Sequence, residues 1–209
     1  MKIEKIEKIK FKENMFRLFF VNSKSLMVFA DTIVRFGLKQ GLNISENDYE
    51  DLVAYDKSNM MMSYALLLIS KRSYSSKGLQ AKLTQKGYKL ENVVKAVKRL
   101  EELGYINDEK FSKVYADCLS QKGKGEFAIK FELEKHGIEK SLINNALKSV
   151  KTELEPYEQI IKILKTKFKD FDDKDKKKIR RAASFFLRRG FSSQDIAKAF
   201  RNYKNIIIE

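Results

Sequence analysis

A helical pattern that occurs three times, with glycines 50 and 53 residues apart, constrains the fold of this chain more than any other feature. In each copy a glycine lies four residues after an apolar position, and apolar residues follow it directly and at six, nine and ten residues beyond. The three glycines are Gly87, Gly137 and Gly190. Such a glycine ends one helix in a left-handed conformation, and the apolar positions after it form the inner stripe of the next helix. A period of this length predicts a helical array whose repeats bury surface against their neighbours.

The three glycines are expected to share one structural role. Because a side chain is penalised in left-handed backbone, replacing Gly137 with valine is predicted to cost on the order of 1–2 kcal/mol. Gly87 and Gly190 are predicted to behave in the same way.

The 209 residues carry a net charge of +15, which is distributed unevenly. Residues 63–108 carry +5, residues 151–209 carry +7, and five of the nine arginines lie between Arg180 and Arg201. Such a surface favours a polyanion as partner, although charged runs also serve simply to solvate a protein. The chain has one cysteine, no apolar run of about 18 residues and no N-terminal secretory signal. These features predict a soluble, cytoplasmic monomer without membrane contact.

The pattern predicts a mainly α fold, in which three tandem three-helix repeats form an elongated, curved array behind a small N-terminal α+β cap. The predicted boundaries are 1–57 for the cap and 58–108, 109–153 and 154–209 for the repeats. In the cap, β-rich runs joined by polar turns, one of them at 22–25, predict a small antiparallel sheet.

Helix boundaries are predicted from capping residues. Asp31 is predicted to cap a short helix that stops at Gly37, and Ser45 to open a second one. A separate helix is predicted over residues 60–70. Pro156 suits the first turn of the third repeat.

The most specific motif begins at Leu103, where the chain reads LGYINDEKFS, followed by KGKG from Lys122 and by a Leu-x3-Gly-Ile step that contains Gly137. With Arg72-x2-Ser75 upstream, these residues closely resemble the RecX family of recombination regulators, over essentially the whole chain. Three positions depart from the family pattern. They are Tyr74, Gly78 and His136, where the family usually has Arg, Glu, and Lys or Arg.

The resemblance implies a modulator of RecA that acts in DNA repair, homologous recombination and the SOS response. Members of the family bind the RecA filament on single-stranded DNA, lie in its helical groove across neighbouring protomers, and suppress ATP hydrolysis, strand exchange and coprotease activity. They are not enzymes and need no cofactor. Single-stranded DNA is therefore the expected nucleic-acid partner, with duplex DNA as a weaker one.

Two groups of candidate residues follow from the pattern and the resemblance. The structural motif residues are expected to shape the helix starts and the turns in which a glycine joins two helices, which we call corners. Asp108 is expected to be a helix cap. These residues are Gly87, Gly104, Tyr105, Asp108, Phe111, Gly125, Gly137 and Gly190. The candidate filament or DNA contacts are basic; they are Arg72, Lys77, Lys82, Lys86, Lys177, Lys178, Arg180, Arg181, Arg188 and Arg189.

The helix predicted from Lys176 to Arg189 carries most of these basic residues. At 100° per residue, Lys177, Arg181 and Arg188 gather on the face opposite the apolar stripe. This face is predicted either to track phosphates or to be merely solvated. Phe185 projects among the basic side chains, where it would either stack on a base or be covered by a neighbouring helix.

No catalytic or metal-binding set is evident in the sequence. His136 is the only histidine, and its place at a helix end predicts a C-terminal cap rather than a ligand. Cys118 falls on an apolar stripe, and Gly123-Lys124-Gly125 lacks the spacing of a phosphate-binding loop. The alternative function is a free-standing DNA-binding protein whose glycine corners act as helix-turn-helix units. The helices after those corners, however, lack a single-face cluster of base-reading side chains.

Overall fold

The computed structural model describes residues 1–10, 14–21, 25–150, 154–172 and 174–203. In that part of the chain it contains three strands and ten helices. The strands are β1 (Ile3–Lys8), β2 (Met15–Phe20) and β3 (Ser25–Phe29). The helices are α1 (Ala30–Arg35), α2 (Glu46–Lys71), α3 (Ser76–Gln85), α4 (Leu90–Glu102), α5 (Asp108–Gln121), α6 (Glu126–Lys135), α7 (Lys140–Ser149), α8 (Pro156–Lys167), α9 (Lys176–Arg188) and α10 (Ser193–Asn202). The mainly α class and the small cap sheet are therefore confirmed.

The N-terminal sheet is antiparallel in the order β1-β2-β3, as predicted. The central strand places Leu18 opposite Ile6 on one side and Leu26 on the other. Most of the predicted turn at 22–25 lies outside the described residues. The core of the cap consists of buried side chains from the sheet and from the segment after it; they are Ile3, Leu18, Phe20, Val28, Leu38, Ile44 and Leu52.

Helix α1 is held by a buried carboxylate from α2. Asp56 accepts hydrogen bonds of 2.8 Å from the Phe29 N–H and from the Thr32 hydroxyl. Both partners are needed because an unpaired buried carboxylate would be costly. The prediction that Asp31 caps this helix is wrong, since Phe29 is the N-cap residue and Asp31 lies inside the first turn. The stop at Gly37 is confirmed by its positive φ of 56°.

Helix α2 is longer than the sequence predicts. Ser45 caps it as expected by accepting the Asp48 N–H, but the helix then continues without a break to Lys71. The prediction of a separate helix over residues 60–70 is therefore wrong, and the proposed boundary at 57 falls inside α2. Apolar residues occur on all sides of α2. The sequence therefore lacks the helical periodicity from which one continuous helix could be inferred.

The chain forms two compact units, one of Met1–Arg72 with Leu83–Ala96 and the other of Ser73–Lys82 with Val97–Glu209. The first contains the sheet, α1 and α2. The second contains α5 to α10 and two apolar cores, one formed by α5 to α7 and one by α8 to α10. The units divide α3 and α4, so the division into a cap and three repeats stays a prediction.

All three glycine corners have the predicted conformation. The φ angles are 99° at Gly87, 73° at Gly137 and 84° at Gly190, and each glycine follows one helix and precedes the next. Behind the corners the N–H of the next residue reaches back to the preceding helix, as from Tyr88 to the Leu83 carbonyl. This is the hydrogen-bond pattern that left-handed helix ends use to satisfy their last carbonyls.

Within the second unit, two of these corners dock on the N-terminus of an earlier helix. At the Gly190 corner, the Arg189 and Gly190 carbonyls accept the N–H groups of Gly125 and Phe127 at 2.8 and 3.0 Å. At the Gly137 corner, the His136 carbonyl accepts the Ser75 hydroxyl at 2.8 Å. Because helix starts have unpaired N–H groups and helix ends unpaired carbonyls, the docking at the Gly190 corner satisfies both at once. At the Gly137 corner a side-chain hydroxyl satisfies the carbonyl.

Two predictions about helix starts and stripes need correction. The N-cap of α5 is Asn107, which accepts the Lys110 N–H at 2.8 Å. Asp108 instead accepts the Ser76 N–H at 2.8 Å, at the first turn of α3. The apolar spacing of α4 and α5 also predicts Val94 and Val114 in the buried stripes of these helices. Both are exposed, because they lie at the margin of their apolar faces. Pro156 begins α8 as expected.

Candidate nucleic-acid interface

Helix α9 is positioned by its cap and by its apolar face. The Asp175 carboxylate accepts the Lys177 and Lys178 N–H groups at 2.8 and 3.2 Å, which fixes the start of the helix. Ala182 and Phe186 are fully buried in the core that α8, α9 and α10 share. The opposite face therefore projects into solvent.

The predicted basic face of α9 is present as an exposed surface. Lys177, Arg180, Arg181 and Arg188 are all exposed. Within the described residues, no carboxylate forms a salt bridge with any of them. The guanidinium of Arg181 lies 5.8 Å from the centre of the Phe168 ring, which holds it loosely against the helix end. We refer to Lys177, Arg180, Arg181 and Arg188 as the α9 face.

Two of the candidate basic residues differ from the α9 face. Arg189 donates through Nη1 to the Lys122 and Gly123 carbonyls at 2.7 and 3.0 Å. Arg189 therefore links the end of α9 to the end of α5, and it provides hydrogen-bond donors for carbonyls that α5 leaves unpaired. Lys178 is half-buried. The sequence could not distinguish these two from the exposed cations because it does not show which elements lie beside α9.

Phe185 lies at the margin between the core and the basic surface. Its ring packs edge-on against Phe168 and Phe186, with centroids 5.2 Å apart in both pairs. Two cations approach the same ring, Lys167 Nζ at 4.8 Å and the Arg189 guanidinium carbon at 4.9 Å from its centre. The ring is half-buried, so neighbours cover part of it without removing it from the basic surface.

Beside Phe185 an open groove of about 630 Å³ runs between the end of α5, helix α8 and the end of α9. Four charged side chains line it, and all four are basic: Lys122, Lys162, Lys167 and Arg189. Sequence reasoning missed the three lysines. Lys162 and Lys167 lie on α8, and Lys122 lies in the segment after α5. The one available signal, the high positive charge of residues 151–209, covers only the two on α8.

The smaller basic set is divided between the two units. Arg72 and Lys86 belong to the first, and Lys86 lies over the Tyr64 ring at 5.6 Å. Lys77 and Lys82 belong to the second, where the Lys77 side chain packs on Gly137. Their role as filament or DNA contacts stays a prediction.

The family-motif residues have structural positions. Gly104 has a φ of 75° and ends α4, and Tyr105 donates its N–H to the Leu100 carbonyl although its ring is exposed. Phe111 stacks on Tyr115, and both rings meet His136 edge-on at 5.4 and 4.9 Å. His136 is the C-cap residue of α6, as predicted. Cys118 is half-buried on α5.

In the described part of the chain, no group of three or more His, Cys, Asp or Glu side chains is arranged to hold a metal ion. None of the helices there combines the length and apolar composition needed to cross a membrane.

These features define a class: a helical protein with docked glycine corners, a small N-terminal sheet and one strongly basic helix face. A family model described as the second three-helix domain of RecX matches residues 107–147. The regulatory protein RecX of Legionella pneumophila (strain Corby) is 33% identical over 141 residues, which cover 68% of this chain and 93% of the relative. The chain belongs to the RecX family, whose curated members carry the description of regulatory proteins.

Three further comparisons support the match, two of them over almost the whole chain. The regulatory protein RecX of Clostridium acetobutylicum is 27% identical over 203 residues, or 95% of this chain and 94% of the relative. A crystal structure of a regulatory protein RecX superposes with a TM-score of 0.71 at 21% identity, and covers 95% of this chain and 98% of that one. The structure of RecX from Lactobacillus salivarius gives a TM-score of 0.61 over 72% of this chain. The fold is thus that of known RecX structures.

Proposed function

We propose that this protein is a non-enzymatic regulator of RecA, which binds the RecA filament on single-stranded DNA and lowers its ATP hydrolysis, strand exchange and coprotease activities. Family membership supports the regulatory role, since the relatives are described as regulatory proteins. The observation that carries the DNA contact is the α9 face, where four exposed cations have no described carboxylate partner.

The physical basis of the contact is electrostatic. Exposed Lys and Arg side chains on one helix face neutralise backbone phosphates and release counterions, without reading sequence. A regulator of a filament needs this property because the filament covers DNA of any sequence. Arginine contributes further because its planar donors match phosphate oxygens in pairs.

The test is RecA-dependent ATP hydrolysis on single-stranded DNA, measured with increasing amounts of the full chain. We expect a lower rate at substoichiometric protein. A variant with Lys177→Ala, Arg181→Ala and Arg188→Ala should need several-fold more protein for the same inhibition, because each lost phosphate contact weakens binding. These exposed changes should leave the thermal unfolding of the protein nearly unchanged.

The matched control removes three exposed lysines on the helices around the Gly137 corner: Lys130→Ala, Lys140→Ala and Lys148→Ala. We expect it to inhibit as the unmodified chain does. An unchanged ATPase rate at equimolar unmodified protein would contradict the proposed function. A control variant that loses DNA binding while the α9 variant keeps it would instead favour the helix-turn-helix alternative, since α7 is the second helix of such a unit.

A further inference from the structure

We infer that the groove between the end of α5, helix α8 and the end of α9 is a binding site for single-stranded nucleic acid, with phosphates on its lysines and a base on the Phe185 ring. The inference rests on the proposed function for its choice of DNA as the ligand. It concerns different residues from the α9 face, and it can be measured without RecA.

The charge of the groove indicates an anionic ligand. All four charged side chains that line it are basic, and three of them, Lys122, Lys162 and Lys167, are exposed. Lys162 and Lys167 lie five residues apart on α8, which corresponds to about 7.5 Å along the helix axis. Lys122 approaches from another segment. Cations spread in this way suit the successive charges of a linear polyanion better than one compact phosphate.

The aromatic ring indicates that the ligand has exposed bases. Phe185 is the aromatic side chain in the groove lining, and it is half-buried. Proteins that bind single strands combine a basic groove with rings of this kind, because an unpaired base offers a face for stacking. A duplex keeps its bases stacked inside, so it would use the lysines without using the ring.

The ring is covered at present by two cations that are held differently. Arg189 is fixed by its hydrogen bonds to the Lys122 and Gly123 carbonyls. Lys167 is exposed at the last position of α8, and its Nζ lies 4.8 Å from the ring centre. An exposed cation–π contact is weaker than stacking of a base on the ring. A base can therefore displace Lys167, whose ammonium group then pairs with a neighbouring phosphate.

The first measurement is the affinity of the full chain for fluorescent oligothymidylate over a range of salt concentrations. The variant with Lys122→Ala, Lys162→Ala and Lys167→Ala should flatten the slope of log K against log salt by about 2, from roughly 0.7 per phosphate. The variant with Lys130→Ala, Lys140→Ala and Lys148→Ala removes the same charge elsewhere and should leave the slope unchanged. Equal slopes for the two variants would overturn the inference.

The second measurement uses the absence of tryptophan from the sequence. In a Phe185→Trp variant, oligothymidylate should quench the tryptophan emission, whereas an abasic strand of the same length should bind with little quenching. A Phe131→Trp variant is the control, because Phe131 is exposed on α6, which contributes no residue to the groove or to the α9 face. If Phe185→Trp does not fold, Phe185→Leu serves instead, with an expected affinity loss of about tenfold and an unchanged salt slope.

The remaining outcomes separate this inference from its rivals and from the proposed function. Quenching by inorganic polyphosphate as strong as that by oligothymidylate would show a general anion site and overturn it. Preferential binding of duplex DNA would overturn it as well. If the groove variant inhibits the RecA ATPase as fully as the unmodified chain does, and its salt slope is unchanged, the inference about the groove fails. The proposed function would then still stand. If oligothymidylate binds in the groove as expected but the protein does not inhibit the ATPase, the proposed function fails and the inference about the groove stands.

Discussion

The Gly87 corner and the Gly190 corner share one sequence pattern and one backbone conformation, yet they lie in different surroundings. Both have positive φ, 99° and 84°. A Cβ added to Gly87 would have no described heavy atom within 4 Å. A Cβ added to Gly190 would collide with the backbone nitrogen of Ala128, and would lie 2.8 Å from its Cα.

The comparison separates two reasons for a glycine. The left-handed conformation is a local requirement, set by the helix end and the turn after it. Close approach is a requirement of the packing between helices, because a corner docks on the N-terminus of an earlier helix. Gly190 meets both requirements, and Gly87 meets only the first. The expectation that the three glycines behave alike therefore has to be replaced by a graded series.

The largest effect is expected for Gly190→Ala. The strained φ costs roughly 1–2 kcal/mol, and crowding against the Ala128 backbone adds roughly 1–3 kcal/mol, as overpacking in cores does. We expect a total loss of about 4 kcal/mol in the free energy of unfolding of the second unit. Urea unfolding followed by circular dichroism and by hydrogen exchange of α6 and α9 amides measures it.

Gly125→Ala is the control for the crowding contribution alone. Gly125 has a φ of −80°, which any residue adopts, but an added Cβ would lie 2.5 Å from the Gly190 carbonyl carbon. Its loss should be about 2 kcal/mol. If the Gly125→Ala variant is as stable as the unmodified chain, the backbone at the Gly190 corner can move aside at little cost. Any difference between substitutions at Gly190 and at Gly87 would then come from φ alone.

An intermediate effect is expected for Gly137→Ala, at about 3 kcal/mol. Its new Cβ would meet the Lys77 side chain, with the Lys77 Cβ 2.7 Å away and its stem closer still. A stem can move, whereas backbone moves less. In a Lys77→Ala background the same glycine substitution should therefore cost about 1 kcal/mol less, as in coupled neighbouring sites.

The control for that coupling is Lys98→Ala, an exposed lysine on α4. Its effect should simply add to that of Gly137→Ala. Thermal or urea unfolding of the four single and double variants provides the measurement. If the effects of Gly137→Ala and Lys77→Ala on the free energy of unfolding simply add, the Gly137 corner moves away from α3 when the alanine is introduced. The hydrogen bond at the His136 carbonyl would then contribute little to stability.

The sequence predicted what depends on local pattern and missed what depends on neighbouring elements. The positive φ of the three glycines follows from the spacing of apolar residues around them, and Ser45 could be identified as a cap from its place before a helical stretch. Asp108 could not be resolved from Asn107, because both are good caps and adjacent. It was the Ser76 N–H, more than 30 residues away in sequence, that decided between them.

The candidate site shows the same division. The α9 face follows from helical periodicity, since Lys177, Arg181 and Arg188 are related by the geometry of a single helix. The structural role of Arg189 depends on the carbonyls of Lys122 and Gly123, which a sequence pattern cannot bring beside it. The groove is missed for the same reason, because its lysines come from α8 and from the segment after α5.

The smallest effect is expected for Gly87→Ala, which tests the local requirement in isolation. The strained φ of 99° costs roughly 1–2 kcal/mol, and no crowding against neighbouring atoms adds to it. A net loss of about 1 kcal/mol is expected in the unfolding of the first unit, with no change in amide exchange at α6 and α9. Gly87→Val should cost more than alanine, because β-branched side chains are poorly tolerated at positive φ. With open space around the position, it should still leave the first unit folded, whereas Gly190→Val should prevent folding of the second unit. A loss at Gly87 as large as the one at Gly190 would show that φ strain dominates every corner and that docking adds nothing measurable.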